Sequence, residues 1–202
     1  TTAVSAGNWL TATTGFPTTN VDRTEIACSG NTLYALPATN ASDDVPTIYK
    51  STNGGVTWAA TGSTPAFTSG QGWYCLGIDI DPSNASSVIV GSLDCFKTIN
   101  GGTSWSQIST WVGTTPVNQY VHADVHKIVY SYGRILFGSD GGIFYTADNG
   151  ATIRDRNQDL RIKQFYSCAI HPSTTNYFLA GTQDTGVHQF NNAGLSSTVE
   201  VT

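Results

Sequence analysis

The chain has 202 residues, 39% hydrophobic and 11% aromatic, which is apolar material for one sizeable core or two small ones. Only 11% of its residues are charged and its net charge is -5, so composition offers no basic surface to DNA, RNA or an anionic membrane. No run approaches the ~20 apolar residues that a membrane-spanning helix needs. Thr, Ser, Asn and Gly keep the surface polar instead, as in many extracellular all-β proteins. Met is absent even at position 1, which points to a processed or partial chain.

In chain order, the segment through Asn8-Trp9-Leu10 reads as a lone strand. The run Glu25-Ile26-Ala27-Cys28-Ser29-Gly30 then leads into Thr32-Leu33-Tyr34-Ala35-Leu36. A short strand, Thr47-Ile48-Tyr49-Lys50, follows and ends in the octapeptide Ser51-Thr52-Asn53-Gly54-Gly55-Val56-Thr57-Trp58. The pattern returns from Leu76-Gly77-Ile78-Asp79-Ile80-Asp81-Pro82 through Ser87-Val88-Ile89-Val90-Gly91 and Cys95-Phe96-Lys97. It closes on Thr98-Ile99-Asn100-Gly101-Gly102-Thr103-Ser104-Trp105. A third round runs from Lys127-Ile128-Val129-Tyr130 through Arg134-Ile135-Leu136-Phe137-Gly138 and Ile143-Phe144-Tyr145 to Thr146-Ala147-Asp148-Asn149-Gly150-Ala151-Thr152-Ile153. A fourth, Cys168-Ala169-Ile170-His171-Pro172-Ser173 into Tyr177-Phe178-Leu179-Ala180-Gly181, has no closing octapeptide. No segment carries a helical period.

The octapeptides start 47 and then 48 residues apart (51, 98 and 146), about one four-stranded propeller blade. Their chemistry is that of a tight hairpin turn. Asn53, Asn100 and Asp148 tolerate left-handed backbone and bond it locally, while Gly55, Gly102 and Gly150 supply positive φ. The hydroxyls of Ser51, Thr98 and Thr146 are expected to close side-chain bonds across the turn, with Trp58 and Trp105 as apolar anchors. The predicted fold is therefore all-β: a partial β-propeller of about four four-stranded antiparallel blades, near 20–62, 70–110, 120–156 and 160–202. Residues 1–19 would be the outer strand of a preceding blade. Four blades leave open faces, so the expected partners include further blades of the same chain or other copies.

Three carboxylates, Asp94, Asp140 and Asp184, recur just after the second strand of a blade. Each closes the turn into the next strand, as Asp before Gly does, or joins an acidic ring. Such a ring would hold a structural cation such as calcium, or supply paired carboxylates. His122, Asp124 and His126 alternate, which on a strand puts all three on one side. The two imidazoles would then lie ~13 Å apart, which favours hydrogen bonding over one shared metal ion. Trp73, Tyr74, Trp111 and Tyr120 fall in loops or at strand starts, where aromatics pack between blades or stack on sugar rings. The four cysteines show no metal spacing; a local Cys75–Cys95 bridge competes with four buried thiols. Asn40-Ala41-Ser42 and Asn84-Ala85-Ser86 match the N-glycosylation pattern.

The three octapeptides resemble those of Asp-box (BNR-repeat) propellers, which include sialidases, xyloglucanase-type glycoside hydrolases and sortilin-like receptor domains. Gly72-Trp73-Tyr74, His122-Ala123-Asp124-Val125-His126, Gly138-Ser139-Asp140-Gly141-Gly142-Ile143, Gln164-Phe165-Tyr166 and Gly181-Thr182-Gln183-Asp184 resemble secreted propeller proteins of Bacteroidota, many of which carry a C-terminal sorting tail. The resemblance implies an extracellular or cell-surface protein that contacts glycans or surface proteins. A sialidase would need three arginines on separate blades, but Arg154, Arg156 and Arg161 cluster, leaving Arg23 and Arg134 elsewhere. Xyloglucanase-type enzymes use two Asp residues. Asp140 resembles one, and Asp184 sits at the equivalent position of the fourth blade; the second catalytic position falls on Gly77. Glycine is neither acid, base nor nucleophile. The sequence therefore points to a non-catalytic extracellular propeller for adhesion, glycan or protein binding, or surface assembly. A glycoside hydrolase completed by residues outside this stretch, and a filament subunit, are the alternatives.

Overall fold

A computed structural model describes residues 14–112, 119–158, 160, 163–183, 186–194 and 199–201. The strand expected around Asn8-Trp9-Leu10, and the candidate Asp184, lie outside these residues. The strands form four antiparallel sheets of four, each ordered as in the chain. The first holds β1 (Val21–Ser29), β2 (Thr32–Thr39), β3 (Tyr49–Ser51) and β4 (Ala59–Ala60). The second holds β5 (Gly77–Ile80), β6 (Val88–Gly91), β7 (Cys95–Thr98) and β8 (Ser106–Gln107). The third holds β9 (Val125–Ser131), β10 (Arg134–Ser139), β11 (Gly142–Thr146) and β12 (Arg154–Asp155). The fourth holds β13 (Phe165–Ile170), β14 (Phe178–Thr182), β15 (Val187–Phe190) and β16 (Val199–Val201). The described residues contain no α-helix. The fold is all-β, a partial β-propeller. It divides into two compact units, residues 1–158 and 159–202.

In the first unit, the middle sheet explains the core. Strand β6 is buried along its length, and its alternation feeds two clusters. Val88 and Val90 join Ala27, Tyr34 and Leu36 of the first sheet and Ile48 just before β3. Ile89 joins Val125, Ile128, Phe137 and Phe144 of the third. Each Val, Leu, Ile or Phe among them contributes roughly 1.5–3 kcal/mol on burial. The second and third sheets approach closely because β5 and β6 offer glycines. A Cβ at Gly77 or Gly91 would lie 3.1 Å from an Ile128 side-chain carbon. The Asp79 carboxylate adds a polar tie, accepting the Tyr130 N–H at 2.7 Å.

The octapeptides are three copies of one hydrogen-bonded turn. Ser51, Thr98 and Thr146 each accept a glycine N–H four residues on, at 2.9, 3.0 and 2.9 Å. Asn53, Asn100 and Asp148 each accept the N–H four residues on, at 2.9, 3.0 and 2.8 Å. Gly54, Gly101 and Asn149 take the left-handed position, with φ of 71, 71 and 67°. Asp148 also accepts the Thr152 hydroxyl at 2.6 Å, and these donors lower its pKa from 3.8 to about 2. Trp58 and Ile153 are buried. Trp105 is partly buried and packs against the first core cluster, and its indole N–H also reaches the Ser63 carbonyl at 3.0 Å.

The expected Cys75–Cys95 bridge is not formed; all four thiols are free. Cys95 faces Gly91 across the β6–β7 ladder, whereas the Cys75 sulfur lies 3.0 Å from the Ser92 hydroxyl. Both behave as small buried side chains. In the second unit, Phe178 and Phe190 stack at 4.6 Å, and Phe165 meets Phe190 edge-on at 5.8 Å.

Candidate functional site

The site forms where the loop entering β5 meets the start of β9 and the β10–β11 turn. Asp124 has φ 64°, so the chain turns there and β9 begins only at Val125. The β9–β10 register then slips: Lys127 pairs with Gly138 and Val125 with Ser139, leaving His126 as the extra residue of a bulge. A bulge re-aims its side chain. Here it turns His126 to Asp140, with Nε2 2.8 Å from Oδ1.

Tyr74 completes the cluster from the second blade. Its hydroxyl donates to Asp140 Oδ2 at 2.8 Å, and its ring meets His126 edge-on at 4.9 Å. The loop that carries it is pinned from several sides. A Cβ at Gly72 would lie 2.5 Å from the Asp43 carbonyl oxygen, so only glycine passes there. The Asp44 carboxylate accepts the Thr68 hydroxyl at 2.6 Å and the Gly70 N–H at 2.7 Å. Arg23 donates to the Tyr74 carbonyl at 2.5 Å. The neighbouring Trp73 is 53% exposed, its ring 5.4 Å from that of Tyr74 and tilted by 43°. Two adjacent aromatic rings therefore face water on a rigid loop beside a carboxylate.

The electrostatics follow from this geometry. The hydrogen bond to Asp140, with burial second, raises the Tyr74 phenol from 10.0 to about 12. Burial raises the Cys75 thiol from 9.0 to about 12. Its sulfur lies 3.3 Å from Asp124 Oδ1. Asp124 and Asp140 both act on Tyr74 and Cys75, so two carboxylates serve one small region. It holds a proton on phenol and thiol alike.

The other candidates are placed differently from expectation. His122, Asp124 and His126 do not share a strand, because the turn at Asp124 separates His122 from β9. His122 instead covers Gly141, and its Nδ1 lies 3.1 Å from the Ala123 carbonyl. Asp94 accepts the Trp111 N–H at 3.1 Å, and burial raises its pKa. Among the described residues, no three His, Cys, Asp or Glu side chains are grouped to hold a metal ion. Trp111 is exposed, while Tyr120 packs edge-on against Phe144 at 5.8 Å. Gly77, at the position the xyloglucanase resemblance assigns to a second carboxylate, packs on Ile128, and Asp79 is committed to the Tyr130 amide.

Sequence reasoning missed Arg23, Gly72, Ser92 and the pairing of His126 with Asp140. The bulge that makes the pairing leaves no mark in the alternation of residues. For Gly72 a signal was present in Ser69-Gly70-Gln71-Gly72, a glycine pair ahead of two aromatics.

No protein-family model matches the sequence, and comparison with curated proteins gives no match. Solved structures are similar in fold. A GH74 xyloglucanase from Xanthomonas campestris superposes with a TM-score of 0.54 at 16% identity, over 86% of this chain and 29% of that one. A GH74 enzyme from Niastella koreensis gives 0.52 at 20% identity, over 89% and 30%. The chain thus spans under a third of the length of either enzyme, and at these identities the likeness is one of fold.

Proposed function

We propose that this chain is a non-catalytic segment of an extracellular β-propeller that contacts glycans through Trp73 and Tyr74. The observation that carries this reading is the exposed, tilted ring pair held on a loop fixed by Gly72, Arg23 and Asp44. Rigid aromatic faces bind sugar rings at small entropic cost, and fixed polar groups beside them orient hydroxyls. Asp140 and His126 supply those polar groups. The low charge of the chain and its fold likeness to a xyloglucanase support the same direction. Adhesion or surface assembly through such contacts is the expected use.

Affinity electrophoresis through gels containing plant or bacterial polysaccharides tests the reading. At least one polysaccharide is expected to retard the parent chain, and Trp73→Ala is expected to restore free mobility without lowering the unfolding midpoint. Equal mobility of parent and variant in every gel would count against it.

A second reading rests on Asp140, whose carboxylate contacts both His126 and Tyr74 in an Asp-Gly-Gly turn. In a longer polypeptide that supplied another carboxylate, this group would serve a glycoside hydrolase.

A further inference from the structure

The opposite ends of β5 and β9 form a recess of about 380 Å³, within the range of small-molecule sites. It is bounded by the turn after β5, the β9–β10 turn and the third octapeptide. Asp81, Tyr130, Tyr132, Asp148 and Asn149 are among its walls.

Tyr132 is the residue the fold does not explain. It has φ 48° and is followed by Gly133 at φ 72°, so both central positions of the β9–β10 turn are left-handed. Glycine, Asn or Asp meets that requirement easily, and a bulky aromatic does not. Tyr132 is fully exposed, so no packing of its side chain offsets the strain. Strain of this kind clusters at functional sites, and here it stands at the mouth of a recess.

The polar walls indicate which ligand. Asp81 accepts the Ser83 N–H and hydroxyl, both on Oδ1, which leaves a carboxylate its second oxygen as an acceptor. These bonds lower its pKa, so it stays ionised at neutral pH. Among the described residues that line the recess none is Lys, Arg or His, and the Lys97 ammonium, bonded to Asn149 Oδ1 behind the wall, offsets only one of its two carboxylates, so the charge does not favour an anionic ligand. A flat, partly apolar molecule rich in hydroxyl donors fits both the aromatic face and the acceptors.

We propose that this recess is a second saccharide site that takes one neutral pyranose, with Tyr132 as the stacking face and Asp81, Asp148 and Asn149 bonding its hydroxyls. It stands at the other end of the strands from Trp73 and does not depend on the role assigned there.

The test is an NMR titration of the ¹⁵N-labelled chain with the methyl glycosides of glucose, galactose and mannose. At least one is expected to shift the amides of Ser83, Ser131, Gly133 and Asn149 saturably. Tyr132→Ala should weaken that response by about tenfold or more, from the loss of one buried ring face. Tyr132→Asn, which suits the turn, should keep or raise the unfolding midpoint while weakening binding equally. Trp73→Ala should leave the response unchanged. Absence of saturable shifts with all three glycosides, or parent-like binding by Tyr132→Asn, overturns the proposal.

Discussion

Gly141 lies directly beneath the ring of His122: a Cβ on that glycine would sit 2.2 Å from the imidazole Cγ. The contact spans a turn and a loop that are separate in sequence. It makes the Asp140 turn depend on the segment that leads into β9.

Gly141→Ala is therefore expected to displace His122 and to cost roughly 1–3 kcal/mol, as overpacking does. Thermal unfolding gives the cost. An unchanged midpoint together with an unchanged His122 ring signal would contradict the contact.

Asp79 is predicted to behave differently from Asp140, the carboxylate that contacts Tyr74 and His126. Asp79 serves the fold, so Asp79→Ala should cost about 1–3 kcal/mol by leaving the Tyr130 amide unpaired. Asp79→Asn keeps an acceptor oxygen and should cost less. Polysaccharide retention should survive in both variants. Loss of retention at constant stability would move Asp79 into the site.

The third octapeptide confers an acid-labile contribution. The Asp148 pKa falls from 3.8 to about 2 in the folded chain, so its contribution is complete above about pH 4 and is lost as pH falls through about 2. The first two octapeptides carry Asn at this position and make the same backbone bond. Asp148→Asn should thus keep stability at pH 7 and flatten its decline between pH 4 and 2. A decline as steep as the parent's would show that other groups govern it.

Thiol labelling separates the cysteines. Cys28 and Cys168 are exposed, whereas Cys75 and Cys95 are buried, and burial raises both buried thiols to about 12. Iodoacetamide at pH 8 should modify two thiols readily and the other two only after unfolding. Only two reactive thiols after unfolding without reductant would indicate a disulfide.

The fold was legible in the sequence because its turn is local chemistry. Asn53, Asn100 and Asp148 make their bonds within four residues, so the octapeptide carries its own structure. The identity of the site residues was legible in part: Tyr74, Asp140 and His126 stood among the candidates. Their assembly was not. It depends on a bulge that skips His126 and on a tyrosine 66 residues from its carboxylate partner, and neither leaves a periodic trace. The alternation of His122, Asp124 and His126 misled for the same reason, since a left-handed turn at Asp124 interrupts the strand that alternation implies.

Incubating the chain with a polysaccharide that retains it, while following bound protein and released reducing ends together, tests the central claim most directly. The account predicts retention with no reducing ends released, and weaker retention by Asp140→Ala, which removes the partner of Tyr74 and His126. Release of reducing ends by the parent chain, abolished in folded Asp140→Ala, would contradict it and identify Asp140 as a catalytic carboxylate.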